Sequence, residues 1–239
     1  MSHKWQKRKA KLTGFWNLAY SYATFRYSSW NRNHLQQKIR ELNLKRLHLG
    51  CGTVLLKNWL NIQFDPREEY GTLKMKNGAW YLNFNLLKDW PIDPGTIDFI
   101  AASHFIEHLD LNNGIELVKK CHRALDKNGV LRLSCPDLER YARSYIQRSD
   151  DFLNHPKVRE WCAFKQAQTP GEIFIAKAYD SGGSHKWFYD AESLKHILQL
   201  AGFTTVERKP RLGGLTPDLE QIELPDRELE TVYVEGVKP

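Results

Sequence analysis

The stretch from residue 45 to 65 constrains the fold most, because two short apolar runs there end in residues suited to ligand binding. The first run, residues 46–49, leads into Gly50-Cys51-Gly52, where glycine lets the backbone turn sharply and approach a ligand without a Cβ in the way. The second run, residues 60–64, alternates apolar and polar side chains and ends at Asp65. A strand, a glycine turn and a second strand ending in a carboxylate together predict a nucleotide-type pocket.

The glycine turn is an incomplete dinucleotide fingerprint, since Leu55 stands where the third glycine would be. A Gly-x-Gly pair also occurs in many ordinary turns, so the pair alone does not separate a ligand site from a plain turn. The missing glycine argues against a cradle for a pyrophosphate. A ligand with a ribose and no phosphates, such as S-adenosylmethionine, would not need the third glycine. The Asp65 carboxylate can accept hydrogen bonds from both hydroxyls of a ribose.

Length, charge and cysteine content narrow the class of protein. With 239 residues, 41% of them hydrophobic, the chain can form one large α/β domain with a buried core. The formal net charge of +7 suits an anionic partner such as nucleic acid, a membrane surface or a phosphorylated substrate. The cysteines form no Cys-x-x-Cys pair, so we expect them to be reduced and free of metal, in a cytoplasmic protein. No apolar run approaches the ~20 residues of a membrane span.

Residues 1–43 are predicted to form a basic, aromatic, helical N-terminal arm that precedes the domain at 44–239. Basic side chains cluster between residues 4 and 11, and aromatic side chains recur up to Trp30. One interpretation is a helix that grips a membrane surface, a nucleic acid or a substrate. The other, which we favour, is an amphipathic helix whose aromatic side chains pack on the domain while the basic ones stay solvated.

Beyond residue 44, strand-like runs alternate with helical patterns, which predicts an α/β fold with a parallel sheet. The predicted strands are residues 46–49, 60–64, 79–83, 97–102, 130–134, 203–207 and 231–234. Helical spacing of apolar residues predicts a helix over 115–125, and Asp190 is expected to cap another over 191–200. Residues 138–189 are too long for a simple connection, so we expect a helical lid or substrate-binding insertion there.

Several ordered motifs identify a known family. They are LHLGCG, NIQFDP, DWPIDPGTIDFIAASHFIEHL, RALDKNGVLRLSCPDL and HKWFYDAESLKHILQLAGF. Together they resemble the class I S-adenosylmethionine-dependent methyltransferases, over roughly residues 44–207, and most of all a predicted bacterial branch associated with small molecules or glycans. The resemblance implies a doubly wound, Rossmann-like, seven-stranded sheet that is mostly parallel, with helices on both faces. It also implies that the cofactor lies across the carboxyl ends of the first strands.

The resemblance further implies roles for individual residues in binding S-adenosylmethionine. The glycine turn of Gly50, Cys51 and Gly52 would surround the methionine part, and Asp65 would hold the ribose hydroxyls. The adenine would meet Asn85 and Leu86, with Asn85 standing where an acidic residue is usual. Beside the methyl group would lie Ser103 and His104, at the end of the fourth predicted strand.

The segment from His104 to His108 matches the His-x-x-Glu-His spacing of one group of zinc peptidases. It directly follows an apolar strand, however, and residues 110–113 interrupt any long helix, so we expect no metal here. The resemblance instead places His104 and His108 beside the methyl group. For His108, orienting the cofactor or substrate and merely rigidifying the next turn remain equal alternatives.

Two further residues are candidates for acting on the acceptor. Asp137 follows the fifth predicted strand, where it could polarise an acceptor hydroxyl or amine, or simply cap the helix beginning at Leu138. His185 follows Ser181-Gly182-Gly183, which suits a closing lid that supplies a base, although a lid that only packs its neighbouring aromatic rings fits as well. We favour His185 as the catalytic residue.

The predicted function is therefore methyl transfer from S-adenosylmethionine to a small molecule or sugar. An acceptor oxygen or nitrogen would attack the activated methyl group in line, and the protein would mainly position the pair and remove a proton. Nucleic-acid methylation is an alternative favoured by the charge, but no base-flipping motif follows the fourth strand. A cofactor-binding protein of the same fold without turnover is the other alternative.

Overall fold

The computed structural model describes residues 32–148, 152–162 and 164–239, with residues 180–183 described by their backbone alone. Its strands are β1 (Arg46–Leu49), β2 (Leu60–Gln63), β3 (Leu73–Lys76), β4 (Ala79–Asn83), β5 (Ile97–Ser103), β6 (Leu125–Pro136), β7 (Thr205–Arg208) and β8 (Thr231–Val237). Its α-helices are α1 (32–42), α2 (Leu111–Ala124), α3 (Leu138–Gln147), α4 (Pro156–Trp161), α5 (Pro170–Gly183), α6 (Ala191–Leu200) and α7 (Leu219–Ile222).

All strands join one eight-stranded sheet in the order β3-β4-β2-β1-β5-β6-β8-β7. The five central strands, β4, β2, β1, β5 and β6, are parallel to one another. Strand β8 runs antiparallel to both of its neighbours, and β3 runs antiparallel to β4. The seven predicted strands and the Rossmann-like, mostly parallel sheet are confirmed. The addition is β3, which forms a hairpin with β4 through Asn77 and Gly78, both at positive φ.

The ends of helices and strands agree best with the predicted ones where a residue next in sequence caps the element. Helix α6 covers the predicted residues, and Asp190 caps it by accepting a hydrogen bond from the Ser193 N–H at 2.8 Å. Strand β7 begins at Thr205 and not at the predicted residue 203, because the Phe203 N–H donates to the Leu198 carbonyl at 3.2 Å and so closes the end of α6. Strand β6 is longer than predicted, since both of its neighbours continue to pair with it.

The main hydrophobic core lies on one face of the sheet. Alternate residues of the central strands point into it, among them Leu47 and Leu49 of β1 and Ile100 of β5, all fully buried. Helices α2 and α6 cover this face and contact each other. Helix α1 adds Leu35 and Ile39, so the described part of the arm packs on the domain, whereas residues 1–31 lie outside the described residues.

On the opposite face of the sheet, the connection between β1 and β2 contains no helix. Residues 50–59 join these parallel strands as an irregular loop, although such a crossover usually contains a helix. The buried Asn61 side chain holds the loop, since its amide donates to the carbonyls of Leu56 and Trp59 at 3.0 and 3.2 Å. The loop side chains pack with Ile222 of α7, so the long β7–β8 connection replaces the helix. No helix N-terminus therefore follows the glycine turn.

Residues 138–189 contain α3, α4 and α5, which surround a second, smaller core. Glu230 anchors this region to the sheet, because its fully buried carboxylate pairs with Lys177 of α5 at 3.0 Å and accepts from the Tyr141 hydroxyl. Residues 181–183, which were expected to let a lid close, form the last turn of α5. Among the described residues, no helix is long and apolar enough to cross a membrane.

Candidate active site

The glycine turn lies at the carboxyl end of β1, and its two glycines have different surroundings. Both have positive φ, 62° at Gly50 and 54° at Gly52, a backbone conformation that residues other than glycine rarely adopt. A Cβ at Gly50 would lie 2.3 Å from the Phe105 ring, whereas a Cβ at Gly52 would meet nothing within 4 Å. Gly50 is thus required for packing, and Gly52 leaves open space beside the backbone.

A cavity of about 130 Å³ adjoins this turn. Its lining combines the ends of β1 and β5 with the β7–β8 connection, and comprises His48, Gly50, Cys51, Val54, Ser103, His104, Ile222, Leu224 and Arg227. Complete ligand sites measure ~300–1,000 Å³. The cavity therefore fits part of a ligand, and four of the predicted cofactor residues line it.

Two ionisable side chains of the cavity wall are held neutral by burial. Burial raises the pKa of the Cys51 thiol to about 12, so Cys51 is no nucleophile at neutral pH. Burial lowers the pKa of His48 to about 4, and its ring lies 3.3 Å from the Asn61 side-chain oxygen. His48 is consequently uncharged in the folded protein at neutral pH.

Acidification from pH 7 to pH 5 is expected to lower the free energy of unfolding by about 2 kcal/mol through His48 alone. Between its ordinary pKa of 6.5 and the folded value of about 4, the unfolded chain binds more protons, so stability falls as pH falls. Urea unfolding at both pH values measures the loss, and His48→Gln should show a loss smaller by that amount. Equal losses in both proteins would contradict the burial effect.

Asp65 stands beyond β2 as an ionised acceptor. Hydrogen bonds from the Arg67 side chain and backbone lower its pKa to about 2. The guanidinium donates to both carboxylate oxygens, at 2.9 and 2.7 Å, while the Arg67 side chain is 87% exposed. Asn83 fixes the loop, because its side chain accepts from the Asp65 N–H at 2.8 Å and donates to the Asp65 carbonyl at 3.1 Å. An exposed arginine can move aside, so the carboxylate is accessible to ribose hydroxyls.

The residues expected to meet adenine follow β4. The Asn85 side-chain oxygen accepts from the Leu87 N–H at 3.0 Å, which closes a turn. Leu86 is buried in the main core, whereas Leu87 is 40% exposed. The structure thus places Leu87 as the exposed apolar side chain at this edge, and the adenine roles of Asn85 and Leu86 stay predictions.

Ser103 and His104 end β5 and are held by the last third of the chain. The Ser103 hydroxyl donates to the buried Glu223 carboxylate at 3.0 Å. His104 has a positive φ of 49°, and its Nε2 lies 2.9 Å from the Thr231 hydroxyl oxygen. Its Nδ1 is 3.4 Å from the carboxylate of the buried Glu107. Both residues line the cavity, and their place beside the cofactor stays a prediction.

Asp137 has its two carboxylate oxygens engaged by protein groups. One accepts from the Glu139 N–H at 3.0 Å and so caps α3, and the other accepts from Arg208 at 3.2 Å. Burial raises the pKa of this carboxyl against the opposing effect of Arg208. The capping alternative is therefore present in the structure, and a catalytic role for Asp137 stays a prediction.

The histidines predicted for catalysis come together at Glu107. His108 follows it in a short 3-10 helix (Ile106–His108), and the buried His185 places its ring 5.1 Å from that of His108. The backbone carbonyl of Glu107 accepts from the Lys186 N–H at 2.7 Å, which fixes the segment after α5 against the end of β5. This edge of the sheet thus gathers His104, His108 and His185.

Sequence reasoning missed other residues of the site. Arg227 reaches the cavity from the β7–β8 connection, and Glu223 accepts hydrogen bonds from Ser103, Ser134 and Arg132. These contacts join residues that are far apart in the chain, so no pattern among neighbouring residues in the sequence predicts them. Asn83 had one usable signal, its position at the carboxyl end of a predicted strand.

Fold and site together define the class: a Rossmann-like sheet with a glycine turn after β1 and a carboxylate after β2 is typical of class I S-adenosylmethionine-dependent methyltransferases. Residues 17–208 match the methyltransferase domain family, and the chain belongs to that family. It is accordingly an enzyme of the S-adenosylmethionine-dependent methyltransferase class.

Solved structures of similar proteins include methyltransferases from several organisms. An S-adenosylmethionine-dependent methyltransferase from Archaeoglobus fulgidus is 15% identical, with 90% of this chain and 99% of that chain covered and a TM-score of 0.46. One from Mesorhizobium loti is 16% identical, with 82% and 91% covered and a TM-score of 0.46. Phosphoethanolamine N-methyltransferase 2 of Haemonchus contortus, solved with S-adenosyl-L-methionine, is 12% identical, with 81% and 48% covered and a TM-score of 0.45. No curated protein sequence matches this chain significantly.

Proposed function

We propose that this chain binds S-adenosylmethionine at the carboxyl ends of β1, β2 and β4 and methylates a small molecule or a sugar. The observation that carries the proposal is the pairing of an open glycine turn with an ionised carboxylate at one sheet edge. Gly52 leaves space beside its backbone, and Asp65 has a pKa of about 2. These residues fit a ligand that combines a ribose with an amino-acid part and carries no phosphate.

Arg227 supports binding of the amino-acid part. The loop after Gly52 starts no helix, so no helix dipole is available for the α-carboxylate of the methionine. Arg227 supplies a positive charge at the cavity instead. One of its nitrogens donates to Glu230 at 3.0 Å, and a guanidinium has five N–H donors, so donors remain for a second carboxylate.

The bound cofactor supplies an activated methyl group, and the chain's own residues hold and orient the reacting pair. The buried Glu107 lies against His104, and the neighbouring His108 and His185 supply nitrogen atoms that can take the proton of an acceptor hydroxyl or amine. We assign proton removal to His185, as its burial shields the reaction from water.

Transfer of labelled methyl from S-adenosylmethionine to a fractionated cell extract tests this function. Label in the small-molecule or sugar fraction, absent with the Asp65→Ala variant, is the expected result. Label confined to RNA or DNA, with a steep salt dependence, would contradict the acceptor class and favour the nucleic-acid alternative. No transferred label despite saturated cofactor binding would contradict turnover itself.

A further inference from the structure

Glu107, His108 and His185 form a cluster that cofactor binding does not explain. One potential ligand atom from each residue lies within 4.8 Å of those from the other two. Glu107 is 1% exposed, and neither of its carboxylate oxygens has a hydrogen-bond partner among the described residues. The His104 Nδ1 lies 3.4 Å from one of these oxygens, which is longer than a well-formed hydrogen bond. A buried carboxylate in this state is costly unless a cation compensates it.

Both histidines are oriented as metal ligands usually are. The His108 Nδ1 lies 3.1 Å from the Ser184 carbonyl oxygen, and the His185 Nδ1 lies 3.1 Å from the Lys177 carbonyl oxygen. A carbonyl can only accept, so each Nδ1 carries a proton, and Nε2 is the atom by which each ring would bind a metal. Donation of the second ring nitrogen to a carbonyl is the arrangement that fixes metal-binding histidines.

We propose that Glu107, His108 and His185 bind a divalent transition-metal ion of the zinc type. Two imidazoles and one carboxylate are the protein ligands of one class of catalytic zinc site, in which a fourth position stays open. Imidazole ligands also favour zinc over magnesium or calcium. The His-x-x-Glu-His motif thus contributes its last two members, while its first, His104, faces Thr231 and is replaced by His185 from beyond α5.

The ion would join the end of β5 to the segment that follows α5. This segment is already attached there, since the Lys186 N–H donates to the Glu107 carbonyl at 2.7 Å. With the ion bound, His185 would be a ligand and no longer a base; the ion, at its open position, would bind an acceptor hydroxyl and lower the pKa of that hydroxyl, which replaces proton removal by His185. This role rests on the proposed function, whereas metal binding itself does not.

The test uses the full chain, stripped of metal and titrated with Zn²⁺ against a chromophoric chelator. We expect one equivalent to bind at micromolar or lower concentration, and Glu107→Gln and His108→Ala each to weaken binding at least about 10-fold. His196→Ala, which removes an exposed histidine of α6, should bind as the native chain does. Co²⁺ should give the visible absorption of a four-coordinate site without a thiolate band, because no cysteine belongs to the cluster.

Circular dichroism of each variant shows whether it has folded, and Glu107→Gln keeps the size of the side chain. Zinc binding by the native chain that is no tighter than binding by folded Glu107→Gln and His108→Ala would overturn the site. A parallel titration with S-adenosylmethionine separates the two proposals. Cofactor binding without zinc binding would refute the metal site alone, and zinc binding without cofactor binding would refute the proposed function alone.

Discussion

An Asp65→Ala variant is expected to bind S-adenosylmethionine about 1,000-fold more weakly than the native chain. The ionised carboxylate would accept a hydrogen bond from each ribose hydroxyl, and hydrogen bonds to charged groups contribute ~1.5–3 kcal/mol each. Together they amount to about 4 kcal/mol, and each 1.4 kcal/mol corresponds to about tenfold in affinity. Calorimetric titration measures the difference. The backbone hydrogen bonds that tie Asp65 to Asn83 do not involve the removed side chain, so the loop should persist.

Arg67→Ala is the matched control for this prediction. It removes the partner that holds the Asp65 carboxylate but leaves the carboxylate in place. The Arg67 side chain is 87% exposed, and exposed ion pairs contribute little, so cofactor affinity should stay within a few-fold of native. An unchanged affinity in Asp65→Ala would show that the ribose is bound elsewhere.

Gly50→Ala is expected to destabilise the fold by about 4 kcal/mol. The left-handed backbone costs a non-glycine residue ~1–2 kcal/mol, and overpacking against a well-packed neighbour costs ~1–3 kcal/mol. The new Cβ would lie 2.3 Å from Phe105, so both costs apply here. For a chain of 239 residues this corresponds to a fall in Tm of about 10 °C, measured by thermal unfolding.

Gly52→Ala separates backbone strain from overpacking. Its φ is also positive, but a Cβ there meets nothing within 4 Å, so we expect only about 1–2 kcal/mol of destabilisation. Adding Phe105→Ala to Gly50→Ala should cost less than the sum of the two single changes, because the clash disappears. Additive effects, or equal losses for the two glycines, would contradict the packing of Phe105 on Gly50.

Local signals in the sequence predicted the sheet and its helix caps well. Period-two alternation located β2, and the Asp190 cap located α6, since these features depend on neighbouring residues. The hairpin of β3 also has a local signal, since Asn-Gly is typical of a tight hairpin turn and Asn77-Gly78 stands there. Strand β3 itself is partly exposed and polar, so its own pattern was weak.

Other features depended on contacts between distant residues. Nothing near Gly52 in the sequence indicates that residues 50–59 form no helix. The sheet face that such a helix would cover is covered instead by Ile222, which is distant in sequence. The meeting of Glu107 with His185 likewise depends on how α5 packs. The motif from His104 to His108 was not expected to bind a metal, because its context does not suit one long helix, whereas the structure brings Glu107 and His108 together with His185 from a different element.

Calorimetric titration of S-adenosylmethionine into the full native chain tests the proposed cofactor pocket most directly. We expect saturable binding at one site per chain, well below millimolar cofactor, with S-adenosylhomocysteine competing for the same site. Absence of binding up to millimolar cofactor, in a sample shown to be folded, would contradict the assignment of the glycine turn and Asp65 as a cofactor pocket.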